Sequence, residues 1–315
     1  MFDFKRDAGK KSVYSLPCMN KERRPSRYLM CSRNPQVGQV FKTLGKLLDS
    51  NIPLLFCGET GVGKSTFAKI VHDCGKQRQG TFLRIDCCNT DAHDFIDKII
   101  STARVKENSF NENGTMWKSE NVFFGTIFLH DIGHLPDDFQ VKLISILKEK
   151  KIVLPSNGEK LAMNARFVSS TQHDLWSLVE KGRFRKDLFY RLSIYTFLLP
   201  PLRDRKIDIG DFTNHFCHLY AAQNKSNLPV FTKEAIVQLK QHTWPGNIHE
   251  FHEVIMKTIA ASNGETTTIS DIAWPPKHNS RQKENINTSN RNASTFAKEN
   301  NKGLSSRAGI STLTS

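Results

Sequence analysis

The segment Gly58 to Thr66, which reads GETGVGKST, constrains the fold of this chain more than any other part of its sequence. It fits the pattern G-x-x-x-x-G-K-[ST], in which glycines let successive backbone N–H groups converge on phosphate oxygens at the start of a helix. The flanks agree, because Ile52 to Cys57 is an apolar run typical of a buried parallel strand and Ser65 to His72 has the spacing of an amphipathic helix. The sequence therefore predicts a strand, a phosphate-binding loop and a helix, in that order.

Such a loop predicts a site for ATP or GTP together with Mg²⁺. Lys64 is expected to reach the β- and γ-phosphates, and the hydroxyl of Ser65 is expected to coordinate the Mg²⁺ ion. The predicted nucleotide-binding residues of the loop are Gly58, Glu59, Thr60, Gly61, Val62, Gly63, Lys64, Ser65 and Thr66. The alternative interpretation is a glycine-rich turn between strand and helix that binds no ligand.

Strand-like apolar runs alternate with helical patterns through residues 50–200, which predicts an α/β fold with a parallel sheet sandwiched by helices. The further strands are predicted at Thr81 to Ile85, Thr126 to Leu129, Arg166 to Ser169 and Tyr195 to Leu199, and the helices at Asp91 to Ala103 and Asp137 to Lys150. After Pro200 and Pro201 only helical patterns follow, at residues 208–222, 232–242 and 247–261. These patterns predict a small all-helical subdomain.

Charge separates this central region from the two ends of the chain. Of the net charge of +14, residues 1–34 hold nine lysines and arginines against three acidic residues, and residues 276–315 hold seven against two. We therefore expect a basic extension at 1–34, an α/β nucleotide-binding subdomain at 35–205, a helical subdomain at 206–275 and a disordered basic tail at 276–315. The basic flanks are either solvated or bind nucleic acid loosely.

The rest of the composition favours a cytoplasmic protein with free thiols. No apolar stretch approaches the roughly 18 residues of a membrane span, and the first residues contain no apolar signal core. Seven cysteines, an odd number, fit free thiols better than a disulfide framework. The sequence predicts no zinc site, because neither His215-x-Cys217-His218 nor Cys87-Cys88 has a second ligand pair at a zinc-binding spacing.

Five segments occur in an order that is similar to one known family. They read GETGVGKS at 58–65, GTIFLHDIGHLP at 125–136, GRFRKDLFYRLSIYTFLLPPLRDRKIDI at 182–209, WPGNIHEF at 244–251 and TISDIAWP at 268–275. Over about residues 35–275 the chain resembles the AAA+ domain of bacterial sigma-54-dependent transcriptional activators, the enhancer-binding proteins, and looks nearest to the acetoin catabolism regulator branch. The resemblance implies a ring-forming, usually hexameric ATPase with a helical lid, which remodels RNA polymerase holding sigma-54.

The resemblance also implies roles for single residues. Arg185 and Arg191 match the pair that the family uses as arginine fingers, which stabilise charge on the γ-phosphate bound by a neighbouring subunit. A solvated basic helix face is the alternative interpretation of this pair. His249 occupies the position of the arginine in the lid sensor, and Arg203 and Arg205 are expected to link the sheet to the lid.

The acidic box departs from the family pattern, because the family reads LFLDE where this chain reads IFLHD. His130 stands in place of the aspartate that serves Mg²⁺, and Asp131 in place of the glutamate that polarises the attacking water. An imidazole offers Mg²⁺ no anionic oxygen, and aspartate is one methylene shorter than glutamate. Asp131 is therefore a candidate for either role, as catalytic carboxylate or as Mg²⁺ ligand, and one of two carboxylates is missing. Asp86 and Gln172 likewise stand where the family has asparagines.

Two devices of the family are also absent from the sequence. The interval from Ser101 to Gly125 contains no GAFTGA, the sequence with which the family touches sigma-54, and no helix-turn-helix is visible after the helical region. Two hypotheses follow. The first is a regulator that binds ATP, hydrolyses it weakly or not at all, and acts by joining the ring of a competent relative or by sequestering it. The second is an active, atypical ATPase that remodels sigma-54 RNA polymerase. A decaying gene product with a residual fold is a third interpretation.

Overall fold

The computed structural model describes residues 14–15, 31–107, 122–153, 158, 160–262, 266–268 and 271–274 of the 315-residue chain. The predicted disordered tail at 276–315, most of the predicted extension at 1–34 and the centre of the 101–125 interval lie outside the described residues. The described residues before Trp274 belong to one compact unit. None of the described helices is both long and apolar enough to cross a membrane.

A five-stranded parallel sheet forms the core of the first part, as the alternating pattern predicts. Two short strands, β1 (Tyr14–Ser15) and β2 (Cys31–Ser32), pair antiparallel ahead of it. The main strands are β3 (Leu54–Cys57), β4 (Thr81–Asp86), β5 (Val122–His130), β6 (Lys151–Val153), β7 (Lys160–Thr171) and β8 (Tyr195–Leu198). The parallel order is β4–β5–β7–β3–β8, and β6 adds an antiparallel pair with β7 that the sequence pattern did not predict. The carboxyl ends of the parallel strands share one edge, where ligand sites of such sheets lie.

Helices cover both faces of this sheet, which confirms the predicted sandwich. They are α1 (Pro35–Leu47), α2 (Lys64–Cys74), α3 (Ala92–Glu107), α4 (Asp137–Glu149), α5 (Leu175–Glu180) and α6 (Lys186–Leu192). Alternate residues of β5 enter two separate buried clusters, because successive side chains of a strand point to opposite faces. Phe128 packs with α1 and α2, whereas Ile127 and Leu129 pack with α3, α4 and α6.

The second part of the chain, from residue 206 to residue 262, is helical and is called the lid below. It contains α7 (Ile209–Asn224), α8 (Lys233–Gln241) and α9 (Asn247–Ala261), as predicted. Trp244 is fully buried at its centre, against Phe251, and its Nε1 donates to the carbonyl oxygen of Leu239 over 2.8 Å. Two-residue parallel strands, β9 (Val230–Phe231) and β10 (Thr266–Thr267), form a small pair beside the helices that the pattern did not predict.

The packed region begins slightly before residue 35, the predicted boundary. Ser32 and Asn34 are buried, and the side chain of Asn34 accepts hydrogen bonds from the first turn of α1. The Ser32 Oγ donates to Asp208 Oδ2 over 2.5 Å, and the backbone nitrogen of Arg33 donates to Asp208 Oδ1 over 2.7 Å. These bonds tie the chain ahead of α1 to the start of the lid.

A buried cation anchors α1 to the sheet. Arg166 of β7 is completely buried and donates to the carbonyl oxygens of Leu48, over 2.8 Å, and of Leu47, over 2.7 Å. These carbonyls end α1, where no intrahelical donor remains for them, and a cation there also complements the helix dipole. Burial lowers the pKa of Arg166 to about 10, so the guanidinium still carries its charge at neutral pH.

Candidate functional site

The predicted phosphate-binding loop lies between β3 and α2 at the carboxyl edge of the sheet. Gly61 has a φ of 79°, and a Cβ atom there would lie 2.2 Å from the carbonyl oxygen of Gly246 in the lid, which no side chain tolerates. Gly63, with a φ of 100°, directly precedes the first residue of α2. The first N–H groups of α2 have no intrahelical acceptor and are therefore available to phosphate oxygens.

Lys64 is held at this loop by carbonyl oxygens. Its side chain is buried, and its Nζ donates to the carbonyl oxygens of Gly58, over 2.7 Å, and Glu59, over 2.9 Å. Burial lowers the pKa of Lys64, and the neighbouring Asp131 opposes that shift. The ammonium is therefore fixed beside the loop in surroundings where the negative charge of a phosphate would stabilise it.

The lid touches the loop through the first residues of α9. The backbone nitrogen of Ile248 donates to the carbonyl oxygen of Gly61 over 3.0 Å. Asn247 is completely buried, and its Nδ2 donates to the carbonyl oxygen of Thr60 over 2.9 Å and to Glu59 Oε2 over 3.1 Å. The Trp-Pro-Gly-Asn segment of the lid is thereby bonded to the backbone of the phosphate-binding loop.

Two arginines strengthen this link between sheet and lid, as the sequence suggested. Arg203 donates to both carboxylate oxygens of Glu59, at 2.8 and 2.5 Å. These bonds, followed by the one from Asn247, lower the pKa of Glu59 to about 2. Arg205 is buried and donates from Nη2 to the carbonyl oxygen of Val62 over 2.8 Å. The Glu59 side chain is thus engaged with Arg203 and the lid.

A cleft of about 490 Å³ lies between the loop and the lid. Predicted site residues on its wall are Thr60, Gly61, Val62, Gly63, Lys64, Ser65, Thr66, Asp131 and His249. The predicted Gly58 and Glu59 are not on that wall. Its apolar side consists of residues that the sequence analysis missed, namely Val37, Phe41, Phe67, Ile70, Phe212, Phe216 and Ile248. An apolar pocket next to a phosphate-binding loop suits a nucleotide base beside its phosphates.

His130, at the end of β5, lines this cleft with an unpartnered nitrogen. Its buried Nδ1 has no hydrogen-bond partner among the described residues. Burial, and then the nearby Arg84, lower the pKa of His130, so the imidazole is neutral at pH 7. A buried polar atom of this kind requires a partner from water or a ligand.

Asp131 is joined to the phosphate-binding loop through Gln172. Asp131 is buried and adopts a φ of 60°. Its Oδ1 accepts from the backbone nitrogen of Gln172 over 3.3 Å, and its Oδ2 accepts from Gln172 Nε2 over 3.0 Å. The Oε1 of Gln172 in turn accepts from Thr60 Oγ1 over 2.6 Å. Three elements, the ends of β5 and β7 and the loop, are thus connected by one amide side chain.

The remaining predicted residues lie outside this network. Arg185 precedes α6 and Arg191 lies in its last turn, and neither is on the wall of the cleft. Arg185 pairs instead with Asp187, at 3.2 Å from both Nε and Nη2. His249 lies on the cleft wall but is 76% exposed and pairs with Glu253 at 3.4 Å. The action of the two arginines on a neighbouring subunit stays a prediction.

The sequence matches two family models in succession. Residues 30–197 match the sigma-54 interaction domain, and residues 203–290 match the AAA+ ATPase lid domain. The first match spans more than half of the chain, and the two meet where the sheet gives way to the lid. The chain belongs to the sigma-54 interaction domain family.

Individual relatives agree with this assignment. The chain is 31% identical over 231 residues to the DNA-binding transcriptional regulator NtrC of Rhizobium meliloti (strain 1021), covering 73% of this chain and 47% of that protein. It is 32% identical over 222 residues to the DNA-binding transcriptional activator HyfR of Escherichia coli (strain K12), covering 70% of this chain and 33% of that protein. The chain therefore spans half or less of the length of these relatives.

A solved structure shows the same fold. The crystal structure of NtrX from Brucella abortus in complex with ATP superposes with a TM-score of 0.64 at 20% sequence identity, covering 82% of this chain and 59% of that one. At this identity the likeness concerns the fold alone.

Proposed function

We propose that this member of the sigma-54 interaction domain family binds ATP with Mg²⁺ in the cleft between loop and lid, and hydrolyses it slowly or not at all. In this proposal the chain works as a regulatory subunit in a ring with competent relatives, or sequesters them. The phosphate-binding loop supports the first part, and the His130–Asp131 pair supports the second.

Nucleotide binding is supported by the chemistry of the two cleft walls. Lys64 and the N-terminus of α2 offer positive charge and N–H donors to phosphates, and the apolar wall around Phe41 and Phe216 offers a surface for a base. Ser65 and Asp131 both line the cleft and would hold the Mg²⁺ ion, which neutralises charge on the β- and γ-phosphates when bound. NtrX from Brucella abortus, whose structure shares this fold, was crystallised in complex with ATP, which supports the proposal.

Slow hydrolysis is supported chiefly by the shortage of carboxylates at the cleft. The acidic residues on its described wall are Asp131 and Asp208, and Asp208 is engaged by Ser32 and Arg33. Asp131 cannot act at once as a Mg²⁺ ligand and as the base that activates water. The neutral His130 does not replace it, because Mg²⁺ prefers oxygen ligands.

Binding and turnover are separated by one set of measurements. Full-length protein is titrated with MgATP by calorimetry, and phosphate release is followed at saturating nucleotide. We expect binding that is lost in Lys64→Ala and retained in Lys76→Ala, an exposed lysine just after the same helix. Turnover on the order of 1–100 per second, the range typical of kinases, that is abolished by Lys64→Ala would contradict the slow-hydrolysis part.

Repair of the acidic box tests the proposed cause. The double substitution His130→Asp with Asp131→Glu restores both carboxylates of the family pattern. We expect turnover to rise by about 10² or more, since a misplacement of about 1 Å in a catalytic group costs that order of rate. An unchanged hydrolysis rate in a double variant that still binds MgATP would show that the acidic box does not limit hydrolysis.

The second candidate is an active ATPase that remodels sigma-54 RNA polymerase. It is favoured by the retained Lys64 and by two arginines outside the cleft of their own chain, Arg185 directly before α6 and Arg191 in its last turn. Mixing the chain with a competent activator distinguishes the candidates. A regulatory subunit changes the activator's hydrolysis per subunit, and Arg185→Ala with Arg191→Ala alters that effect. An autonomous ATPase turns over alone, at a rate that rises with its own concentration as rings form.

A further inference from the structure

We propose that Cys88, Asp131 and His134 form a binding site for a borderline or soft divalent cation of the Zn²⁺ class. Their candidate ligand atoms, one sulfur, one carboxylate oxygen and one ring nitrogen, all lie within 4.8 Å of one another. Within this group His134 Nε2 lies 3.8 Å from Asp131 Oδ2. A tetrahedral ion with bonds of about 2.0–2.3 Å holds its ligands about 3.3–3.8 Å apart, so small side-chain rotations close the site.

The register of the sheet explains why residues from distant parts of the sequence meet here. β4 and β5 are parallel neighbours with Asp86 opposite His130, and the backbone nitrogen of Cys87 donates to the carbonyl oxygen of His130 over 2.9 Å. Cys87 is therefore level with Asp131, and Cys88 follows one residue later. His134 ends the short 3-10 turn Ile132–His134 that follows Asp131. The register of the two strands and this short turn thus place the three ligand residues close together.

His173 lies next to His134, outside this set of three ligand atoms. Its Nε2 lies 3.0 Å from His134 Nε2 and shares a hydrogen bond with it, one ring as donor and the other as acceptor. When His134 Nε2 gives its lone pair to an ion, solvent supplies the fourth position of a tetrahedral site.

The charge around Cys88 also favours a cation. Burial, followed by the carboxylates of Asp131 and Asp86, raises the pKa of the Cys88 thiol. A divalent cation relieves this repulsion and stabilises the thiolate, which is the form that binds metals. A thiolate and an imidazole select Zn²⁺ or Co²⁺ over Mg²⁺, which prefers oxygen ligands.

Asp131 belongs to both this site and the proposed Mg²⁺ site. A Zn²⁺ ion bound to Cys88 and His134 takes the Asp131 carboxylate away from nucleotide-bound Mg²⁺, so the two ions exclude each other. This coupling rests on the proposed nucleotide function, whereas the cation site itself does not.

Cobalt binding tests the site directly. Full-length, nucleotide-free protein is titrated with Co²⁺, whose thiolate complexes give a near-ultraviolet charge-transfer band. We expect the band to saturate at one equivalent, to be displaced by Zn²⁺ and to survive excess Mg²⁺. Cys88→Ser should abolish the band, and His134→Ala should weaken Co²⁺ binding at least tenfold. The matched controls Cys74→Ser and His93→Ala should leave both the band and the Co²⁺ affinity unchanged. The absence of a band, or an unchanged band in Cys88→Ser, would overturn the proposal.

The coupling needs a second measurement. Protein loaded with one equivalent of Zn²⁺ and freed of excess metal is compared with chelator-treated protein, using ATP with Mg²⁺ in excess so that little free ATP can extract Zn²⁺. We expect the loaded protein to bind MgATP about tenfold more weakly, and Cys88→Ser to show no difference between the two treatments. Equal affinities overturn the coupling but not the cation site. Chelator-treated protein that binds no MgATP overturns the proposed nucleotide function instead.

Discussion

Gln172 donates hydrogen bonds to both carboxylate oxygens of Asp131, from its backbone nitrogen to Oδ1 over 3.3 Å and from its Nε2 to Oδ2 over 3.0 Å. One residue at the end of β7 thus orients the buried acid at the end of β5. The outer oxygen of the same amide accepts from Thr60 Oγ1, so the orientation of the acid depends on the phosphate-binding loop as well.

Removal of this amide should destabilise the folded protein measurably. Gln172→Leu leaves Asp131 Oδ2 without its side-chain donor, and a hydrogen bond to a charged group contributes about 1.5–3 kcal/mol. Because Gln172 is itself exposed, we expect the free energy of unfolding to fall by about 1–2 kcal/mol in urea denaturation. Thr60→Val removes only the outer bond and should cost less than Gln172→Leu. Equal losses of unfolding free energy in the two variants would contradict the hydrogen-bond arrangement of Asp131, Gln172 and Thr60.

Asn247 should contribute more to stability than its place at a helix start suggests. Its Oδ1 accepts from the backbone nitrogen of Leu202 over 2.8 Å, in addition to the two bonds that its Nδ2 donates towards the loop. We expect Asn247→Ala to lower the free energy of unfolding by about 2–4 kcal/mol, since buried partners lose their bonds. Asn247→Gly should cost less than Asn247→Ala, because glycine adopts the φ of 57° without strain. Thermal denaturation of the two variants checks this order.

Arg166 should tolerate replacement only by a side chain that fills its space. Arg166→Ala leaves a cavity and removes the guanidinium donor from the carbonyl oxygen of Leu48, whereas the carbonyl oxygen of Leu47 keeps its bonds from Ser50. We therefore expect a loss of about 3–5 kcal/mol in the free energy of unfolding. Arg166→Met keeps much of the volume and should cost less, because an apolar replacement avoids the desolvation of a buried cation. Denaturant unfolding of both variants, with the exposed Arg183→Ala as control, measures the difference.

His130 should make the stability of the protein depend on pH in the weakly acidic range. Burial holds the pKa of His130 in the folded protein below the ordinary value of 6.5. As the pH falls below about 6.5, the unfolded chain therefore binds a proton at this residue before the folded protein does. Stability is therefore full above about pH 6.5 and falls as the pH drops towards the folded pKa. We expect His130→Asn to lose less stability than the wild type between pH 7 and pH 5, whereas the exposed His93→Asn should follow the wild type. Denaturation midpoints at both pH values provide the measurement.

Much of the fold follows from the sequence because its signals are local. The apolar runs and helical spacings predicted each parallel strand and, in the α/β part, the helices α2, α3 and α4, with ends displaced by up to six residues. They did not predict α1, α5 or α6. β6 was missed because its three residues carry no alternating pattern of their own and depend on pairing with β7. The β9 and β10 pair was missed for the same reason, since two residues hold no period.

The candidate site was only partly predictable, because motifs identify residues that touch phosphate but not those that surround them. Phe41 of α1 and Phe216 of α7 meet at the cleft only after the lid has folded against the sheet. In the sequence, Phe41 and Phe216 are ordinary apolar residues that are expected to be buried, and nothing in their spacing indicates that they line a cleft. The proximity of Cys88 and His134 could not be predicted from the sequence either. It results from the register of β4 against β5, which no spacing of residues along the chain encodes.

The contact of Gly61 with Gly246 leaves no slack between the phosphate-binding loop and the lid. Backbone touches backbone there, with the bond from Ile248 to the Gly61 carbonyl beside it, so no flexible side chain intervenes to absorb a displacement. We therefore expect any movement of the loop around a bound phosphate to displace the first turn of α9 as well, because the backbone of the lid lies in direct contact with the backbone of the loop.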